Sequence, residues 1–548
     1  MLQVNGQVVK WTELCPCNRR PEKFFIFKQI EGVLPLDESS DRIERKPVAF
    51  GDLRGWIAAL REAGELAEFD QEVDWDTELG TIVRMAQGTG AGPAFLFKNI
   101  KDYNTPESVC GEVFTNGQGS YSRLAMMFGL KPDTPIRDMV KMCRYIFKER
   151  IPPKTVRTGP VKDNIITGRD IDLFKFPIPK WNRGDGGRYI NTYSACVTKD
   201  PESGIHNVGI YRGMALDQAN IGVLLWRAQG WGNHYAKHMA RANEMPVAFV
   251  IGWEPTMGFT AGSPVPRDVS EYEVMGAIRG EPVELVDCET VPLQVPASAE
   301  IVIEGWISTD PQTFRPEGPY AEFTGYYATE QTPKHVARVT AITHRDRPIL
   351  RGALEGAVPG SYGENHIMSS IQRSATAWNA LESAGVPGVT DVFGMPIQAG
   401  INVAVQINQT YRGQAKQVAA ALWGNSASHV RYKHVFVVDQ DIDVHDYGAI
   451  DWALAWRFNA GEDDLIVFPS TWGAGLDPSV RARDSNVHLF GTGKWHRVLL
   501  DCTINLDYEP DEQGRRWPPT VHPSKEDQDK AKARWEELGL DKWGKGLL

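Results

Sequence analysis

Two glutamates five residues apart across a Gly-Pro step, in Arg315-Pro-Glu317-Gly-Pro-Tyr-Ala-Glu322-Phe-Thr-Gly-Tyr326, constrain this chain more than any other stretch. On a regular strand residues i and i+5 point to opposite faces, so the two acids share a cleft only if Gly318-Pro319 turns the backbone between them. Carboxylates held together with an arginine in reach have their pKa values driven apart, one serving as charge partner and the other as proton carrier. Phe314, Tyr320, Phe323, Tyr326 and Tyr327 argue against a fully solvated hairpin. From these residues alone, a catalytic cleft and a structural turn stand on equal terms.

At 548 residues the chain has length for about three domains, each with its own core. A net charge of −11 argues against a nucleic-acid surface and leaves small molecules or further copies of the chain as the expected partners. The seven cysteines include no CxxC pair, and Cys15-Pro-Cys17 lacks the second pair of a metal site. Thiols in a reducing cytoplasm are expected. No stretch has the apolar length of a signal peptide core or a membrane span, which also points to the cytoplasm.

The composition changes along the chain. Residues 1–46 carry scattered basic side chains and read as an irregular arm. Residues 47–155 read as an α/β domain, with helices from Asp52, over Thr77 to Gln87 and over Ile136 to Ile151, and a strand over Ala94 to Phe97. Pro152-Pro153 closes it. Residues 156–350 are short β-rich runs punctuated by Gly and Pro, among them Val208 to Leu216, Pro246 to Trp253, Ala299 to Ile307 and His335 to Thr343, which predict a barrel or sandwich. Helix and strand alternate again over 351–507, where Val435-Phe-Val-Val438 reads as a buried parallel strand. The tail, 508–548, is charged and ends in a helix over Lys525 to Leu538 of the kind that docks on a partner subunit.

Five segments in order, Gly186-Gly-Arg-Tyr-Ile190, Asn207-Val-Gly-Ile-Tyr-Arg212, Val269-Ser-Glu271, Glu317-Gly-Pro-Tyr-Ala-Glu322 and Gly491-Thr-Gly-Lys494, resemble the UbiD family of prenylated-flavin decarboxylases. The resemblance spans about residues 50 to 510 and implies an N-terminal α/β domain, a central split β-barrel binding prenylated FMN, and a C-terminal α/β domain whose tail packs on a partner in a homodimer or hexamer. It makes Arg212 the partner of Glu317 beside the flavin and Glu322 the proton donor. Asn207 and Glu271 become ligands of a divalent metal (Mn²⁺, or Mg²⁺ or Fe²⁺) at the flavin phosphate. Gly209, Ile210, Gln229 and Lys494 become cofactor contacts, and K⁺ is expected near the carbonyls of Phe259 to Ser263. Read without the family, Arg212 is a surface strand arginine, Glu271 a helix-capping acid and Lys494 a turn lysine.

The third metal ligand departs from the family pattern. A histidine is expected soon after the Arg212 strand, yet the stretch here is Trp226-Arg-Ala-Gln229-Gly-Trp-Gly-Asn-His234. The counted position falls at Gln229 or Gly230 and the nearest histidine is His234, so His234 and Gln229 both stay open. Strict alternation along the strand also puts Arg212 on the opposite face from Asn207, which requires an irregularity between them. Phe323 and His366 are expected to line the substrate pocket.

The implied activity is reversible, non-oxidative decarboxylation of an aromatic, heteroaromatic or α,β-unsaturated acid, with CO₂ released through a covalent adduct with prenylated FMN made by a separate prenyltransferase. Two alternatives stand beside it. The same cofactor could serve an aroyl-CoA thioester or carboxylate a phenol, and the paired glutamates could instead serve a hydrolase.

Overall fold

The computed structural model describes residues 43–87, 92–106, 108–227, 229–266, 268–327, 330–425, 431–481, 484, 493–521 and 523–540, with the strands Leu2–Val4 and Gln7–Val9. Residues 1–42 and 43–548 are separate compact units. In the first, the two short strands pair antiparallel where the sequence reads as irregular, and the rest of the expected arm up to residue 42 lies outside the described residues.

The second unit is built on an antiparallel sheet that nearly closes on itself. Its strands run in the order His206–Ile210, Ala195–Lys199, Met245–Ile251, Ile301–Ile307, Thr332–His344, Asn220–Val223, Gly213–Asp217 and Arg188–Asn191. Met245–Ile251 is buried throughout, because Val247, Phe249 and Ile251 face one apolar cluster while Ala248 and Val250 face another. A strand covered on both sides reads as a continuous apolar run, and its period of two is hidden in the sequence. The helix Glu271–Arg279 covers the second face through Tyr272 and Met275.

The expected strand Val208 to Leu216 is two strands. His206–Ile210 pairs with Ala195–Lys199, whereas Gly213–Asp217 pairs with Asn220–Val223 and Arg188–Asn191 at the other end of the sheet. Tyr211 and Arg212 bridge them at the split in the barrel. This is the irregularity that strict alternation required.

The C-terminal sheet runs Val389–Gly394, Asn402–Ile407, His434–Asp439, Gly493–Cys502, Leu465–Gly473, with His434–Asp439 parallel to both neighbours as its Val-rich sequence predicts. The N-terminal sheet holds a different result. Its edge is Ile349–Arg351, which returns after the barrel to pair parallel with Glu112–Thr115. The division drawn at 350 therefore falls inside a strand of the N-terminal sheet, a pairing too distant in sequence for local pattern to reveal. The helix expected over Ile136 to Ile151 ends at Ile146, and that of the tail spans Lys525–Ala533.

Buried carboxylates join the layers. Glu254 takes the Gly51 amide (2.7 Å) and Arg279, Glu364 takes the Gln118 amide (2.7 Å) and Arg351, and Asp391 takes Arg137 and His445. Glu300, fully buried, accepts from Arg54 (3.1 Å), from Arg345 and from the Ile349 amide (3.0 Å), so it ties helix, barrel and returning strand together. Arg54 is partly exposed and Arg345 keeps Asp52 (2.6 Å), so removing the acid chiefly costs the buried Ile349 amide its acceptor. Glu300→Ala is expected to lower stability by about 2 kcal/mol, read from the urea midpoint. An unchanged midpoint would remove Glu300 as a joint.

Candidate functional site

The turn at Gly318-Pro319 sets the site. Gly318 has φ +96°, the peptide to Pro319 is cis, and the Pro319 carbonyl accepts the Gly186 amide (2.8 Å). A side chain at Gly186 would lie 1.9 Å from the Gly318 carbonyl oxygen, so glycine is required for this approach. Beyond the turn, Asp185 accepts the Ala321 amide (3.0 Å) and holds the chain that carries Glu322.

Both acids meet at one guanidinium. Arg212 donates from Nη2 to Glu317 (2.8 Å) and from Nη1 to Glu322, while Tyr189 donates its hydroxyl to the other oxygen of Glu317 (2.8 Å). Arg212, Glu317 and Glu322 are all buried. Two acids share one cation here, so the cluster carries an excess negative charge that favours a proton on one of them. Burial raises the pKa of Glu322, with Arg212 pulling it down and Glu317 pushing it further up. Burial likewise holds Tyr189 well above the usual phenol range, so it stays a donor to Glu317.

Arg212 and Glu322 open on a cavity of about 930 Å³ between the barrel and the C-terminal domain. Asn207, Gly209, Ile210, Gln229, His234, Glu271, Tyr320 and Phe323 line the same cavity. Glu317 does not reach it and backs Arg212 from behind. The two glutamates therefore have different access to a bound molecule.

At the Asn207 end, Glu271 accepts the Val208 amide (2.8 Å), and burial pushes its pKa up to about 8. Asn207 Nδ2 is buried without a partner. His234 lies in the second turn of the helix Gly230–Ala240, its Nδ1 bonded to Thr198 Oγ1 (2.9 Å), and burial brings its pKa down to about 4, leaving a neutral imidazole. Gln229 caps that helix position while its side-chain oxygen accepts from Trp231 (3.1 Å). A side chain at Gly230 would fall 1.7 Å from Asn207 Oδ1, so no ligand fits there without rearrangement. Among the described residues no three His, Cys, Asp or Glu side chains cluster as a metal site. The candidate set is an amide, a carboxylate and an imidazole: the Asn207 Oδ1 and the Glu271 carboxylate are oxygen donors that suit a hard cation, and the Asn207 Nδ2–H is a donor that suits an anionic ligand beside it.

Three sequence expectations sit elsewhere. Lys494 is exposed on the strand Gly493–Cys502 and does not line the cavity, while Gly491 and Thr492 lie outside the described residues. His366 is buried away from the cavity: Nδ1 accepts the Gly363 amide (3.3 Å) and Nε2 faces the Phe323 carbonyl (2.8 Å), so it braces Phe323. The Phe259 carbonyl already accepts from Gln372 (2.6 Å) and Ser263 (2.8 Å), which uses both of its lone pairs, so it is not available to the K⁺ expected at that turn.

Three side chains in the cavity wall have no sequence signal. Arg373 and Arg431 line it from the C-terminal domain, and burial lowers the pKa of both, to about 9 for Arg373. Glu355 lines it beside Glu322. In sequence the arginines look like ordinary surface cations, and Glu355 stands in a loop without a motif.

Residues 57–143, 154–358 and 366–502 match, in order, the N-terminal, Rift-related and C-terminal domains of 3-octaprenyl-4-hydroxybenzoate carboxy-lyase, UbiD. The chain belongs to the UbiD family. Among its relatives are the pyrrole-2-carboxylic acid decarboxylase of Pseudomonas aeruginosa, 32% identical with 82% of this chain and 90% of the relative covered, and the phenolic acid decarboxylase of Bacillus subtilis, 31% identical with 83% and 93% covered. Similar solved structures include the closed form of the vanillic acid decarboxylase of Sedimentibacter hydroxybenzoicus (29% identity, TM-score 0.77, 89% of this chain and 98% of that one). Another is the UbiD-class enzyme HmfF of Pelotomaculum thermopropionicum in complex with FMN (29%, TM-score 0.74, 87% and 98%). As a UbiD enzyme the chain is a carboxy-lyase, and the three-domain arrangement of barrel and flanking α/β layers is that of the family.

The electrostatics of this UbiD site can be tested directly. Arg212 is the influence that lowers the pKa of Glu322, so Arg212→Met should move its protonation to higher pH, followed by the carboxylic C=O infrared band. A titration unchanged by the substitution would show that Arg212 does not control this acid.

Proposed function

We propose that this UbiD enzyme decarboxylates an aromatic, heteroaromatic or α,β-unsaturated carboxylic acid with prenylated FMN as cofactor. The observation that carries the proposal is the single guanidinium shared by Glu317 and Glu322 on the wall of a cavity large enough for cofactor and substrate. Prenylated flavin, when bound, would supply an electron sink for the pair left behind on decarboxylation. This chain positions and protonates.

Glu322 faces the cavity, and burial raises its pKa, which favours the protonated acid as the group that delivers a proton to the carbon that loses CO₂. Arg212 fixes the orientation of Glu322. Glu317 and Tyr189 hold Arg212 from the side away from the cavity. The guanidinium also fills the space in which a two-carboxylate hydrolase would keep its attacking water, which disfavours hydrolysis. At the other end, Asn207, Glu271 and His234 are assigned to a divalent cation, Mn²⁺ or Mg²⁺, that neutralises the flavin phosphate, with Gly209, Ile210 and Gln229 against the cofactor. Phe323 walls the substrate pocket, with His366 behind it.

Metal and flavin binding are therefore coupled. Glu271→Ala should fold yet purify largely colourless, because the cation that Asn207, His234 and Glu271 would hold for the cofactor phosphate is lost. Full flavin content in that variant would overturn the metal assignment.

The paired acids should also separate by experiment. Glu322→Gln keeps shape but removes the transferable proton, so turnover should fall by at least ~10²-fold with flavin retained. Glu317→Gln should lower activity through a misplaced Arg212. Exchange of solvent deuterium into the substrate carbon should vanish in the first variant and persist weakly in the second; equal exchange in wild type and Glu322→Gln would sink the role of Glu322.

A further inference from the structure

A third carboxylate shares the reaction chamber. Glu355 stands in the loop after the strand Ile349–Arg351, and its backbone is fastened from behind by Arg84, which donates from Nη2 to the Glu355 carbonyl (2.6 Å) and from Nη1 to that of Gly356. Arg84 is itself braced by Asn182 (3.2 Å). A side chain added at Gly356 would come within 3.1 Å of the Glu322 carbonyl oxygen, so this loop packs directly on the segment bearing the proton donor.

The Glu355 side chain is placed by one group only. Asn365 Nδ2, at the start of the helix Glu364–Ser383, donates to Oε2 (3.3 Å), and Oε1 has no hydrogen-bond partner among the described residues. Glu355 and Asn365 both line the cavity that contains Glu322 and Phe323. Glu322 has an oxygen committed to Arg212, whereas no cation bonds the Glu355 carboxylate directly. An acid oxygen on a residue that lines a binding chamber and has no protein donor is satisfied by a donor on the bound molecule or by water.

We propose that Glu355, positioned by Asn365, is a specificity residue that accepts a hydrogen bond from an O–H or N–H carried on the ring of the substrate. The inference rests on the decarboxylase reading for the word substrate and narrows its class: hydroxylated aromatic acids and heteroaromatic acids with a ring N–H are favoured over unsubstituted aryl and acrylic acids. Two physical effects support the preference. A ring without the donor leaves the Glu355 oxygen desolvated and unpaired, which costs more than the absence of a favourable contact. An acceptor beside a ring hydroxyl also repels any group that presents lone pairs at the same place, such as an ether oxygen.

The test uses flavin-loaded protein and neutral product pairs that differ at the donor position, phenol against anisole and the near-isosteric pyrrole against furan, with binding followed by flavin absorbance. Wild type should bind the donor-bearing member of at least one pair ~10-fold more tightly or better, and Glu355→Leu should bring that ratio near unity. Because each ratio is taken within one protein preparation, loss of folded protein cancels. If Glu355→Leu yields no folded protein, Glu355→Gln, which removes the charge but keeps an acceptor, should still shrink the ratio several-fold. Equal binding within both pairs in wild type, or a preference that survives Glu355→Leu, overturns the proposal. Binding preference is read without turnover, so an enzyme that shows it but decarboxylates none of the corresponding acids would fail the proposed function while supporting Glu355 as the donor-recognising residue.

Discussion

The buried guanidinium of Arg212 between Glu317 and Glu322 is the interaction on which the arrangement of the rest depends. An arginine so far from solvent needs its charge compensated, and two carboxylates compensate it in excess. To bring them there, the barrel must split between Ile210 and Gly213 and the chain must turn at Gly318-Pro319. Both follow from the demand that one cation meet two acids at the cavity wall.

Buried charge recurs as a joint elsewhere. Glu254, Glu300, Glu364 and Asp391 each accept hydrogen bonds from more than one layer of the molecule. Each acid fixes register between layers, since removing one side leaves a buried charge or amide unsatisfied. The site thus sits on a frame whose domains are tied by directional bonds as well as apolar contact. The edge strand Ile349–Arg351 has the same effect, carrying the chain from barrel to N-terminal sheet immediately before the loop that presents Glu355.

The cavity divides chemically along its length. One end gathers Asn207, His234 and Glu271, the other Glu322 and Glu355, and Arg373 and Arg431 contribute positive charge from the C-terminal side. Net charge over the whole chain is negative, yet this interior holds cations that burial keeps poorly solvated. An anionic molecule beside these arginines meets favourable charge that the overall composition conceals.

Much of this was determined by sequence alone. Helix periodicity after Asp52, the acid-rich start at Glu271 and the Val-rich run before Asp439 each specify a local element, because burial of an apolar face needs only neighbours within a few turns. Ordered motifs likewise identified the family and the glutamate-arginine-glutamate set. Tertiary structure decided what depends on distant partners: the break that reverses the face of Arg212, the strand that rejoins the N-terminal sheet, and the retreat of Glu317 behind Arg212 while Glu322 faces the chamber. It also turned His366 into a brace for Phe323 and put Lys494 on the surface. Arg373, Arg431 and Glu355 were invisible beforehand because a charged residue in a loop or on a helix looks the same in sequence whether it faces water or a cavity. Only the packing of one domain against another settles which.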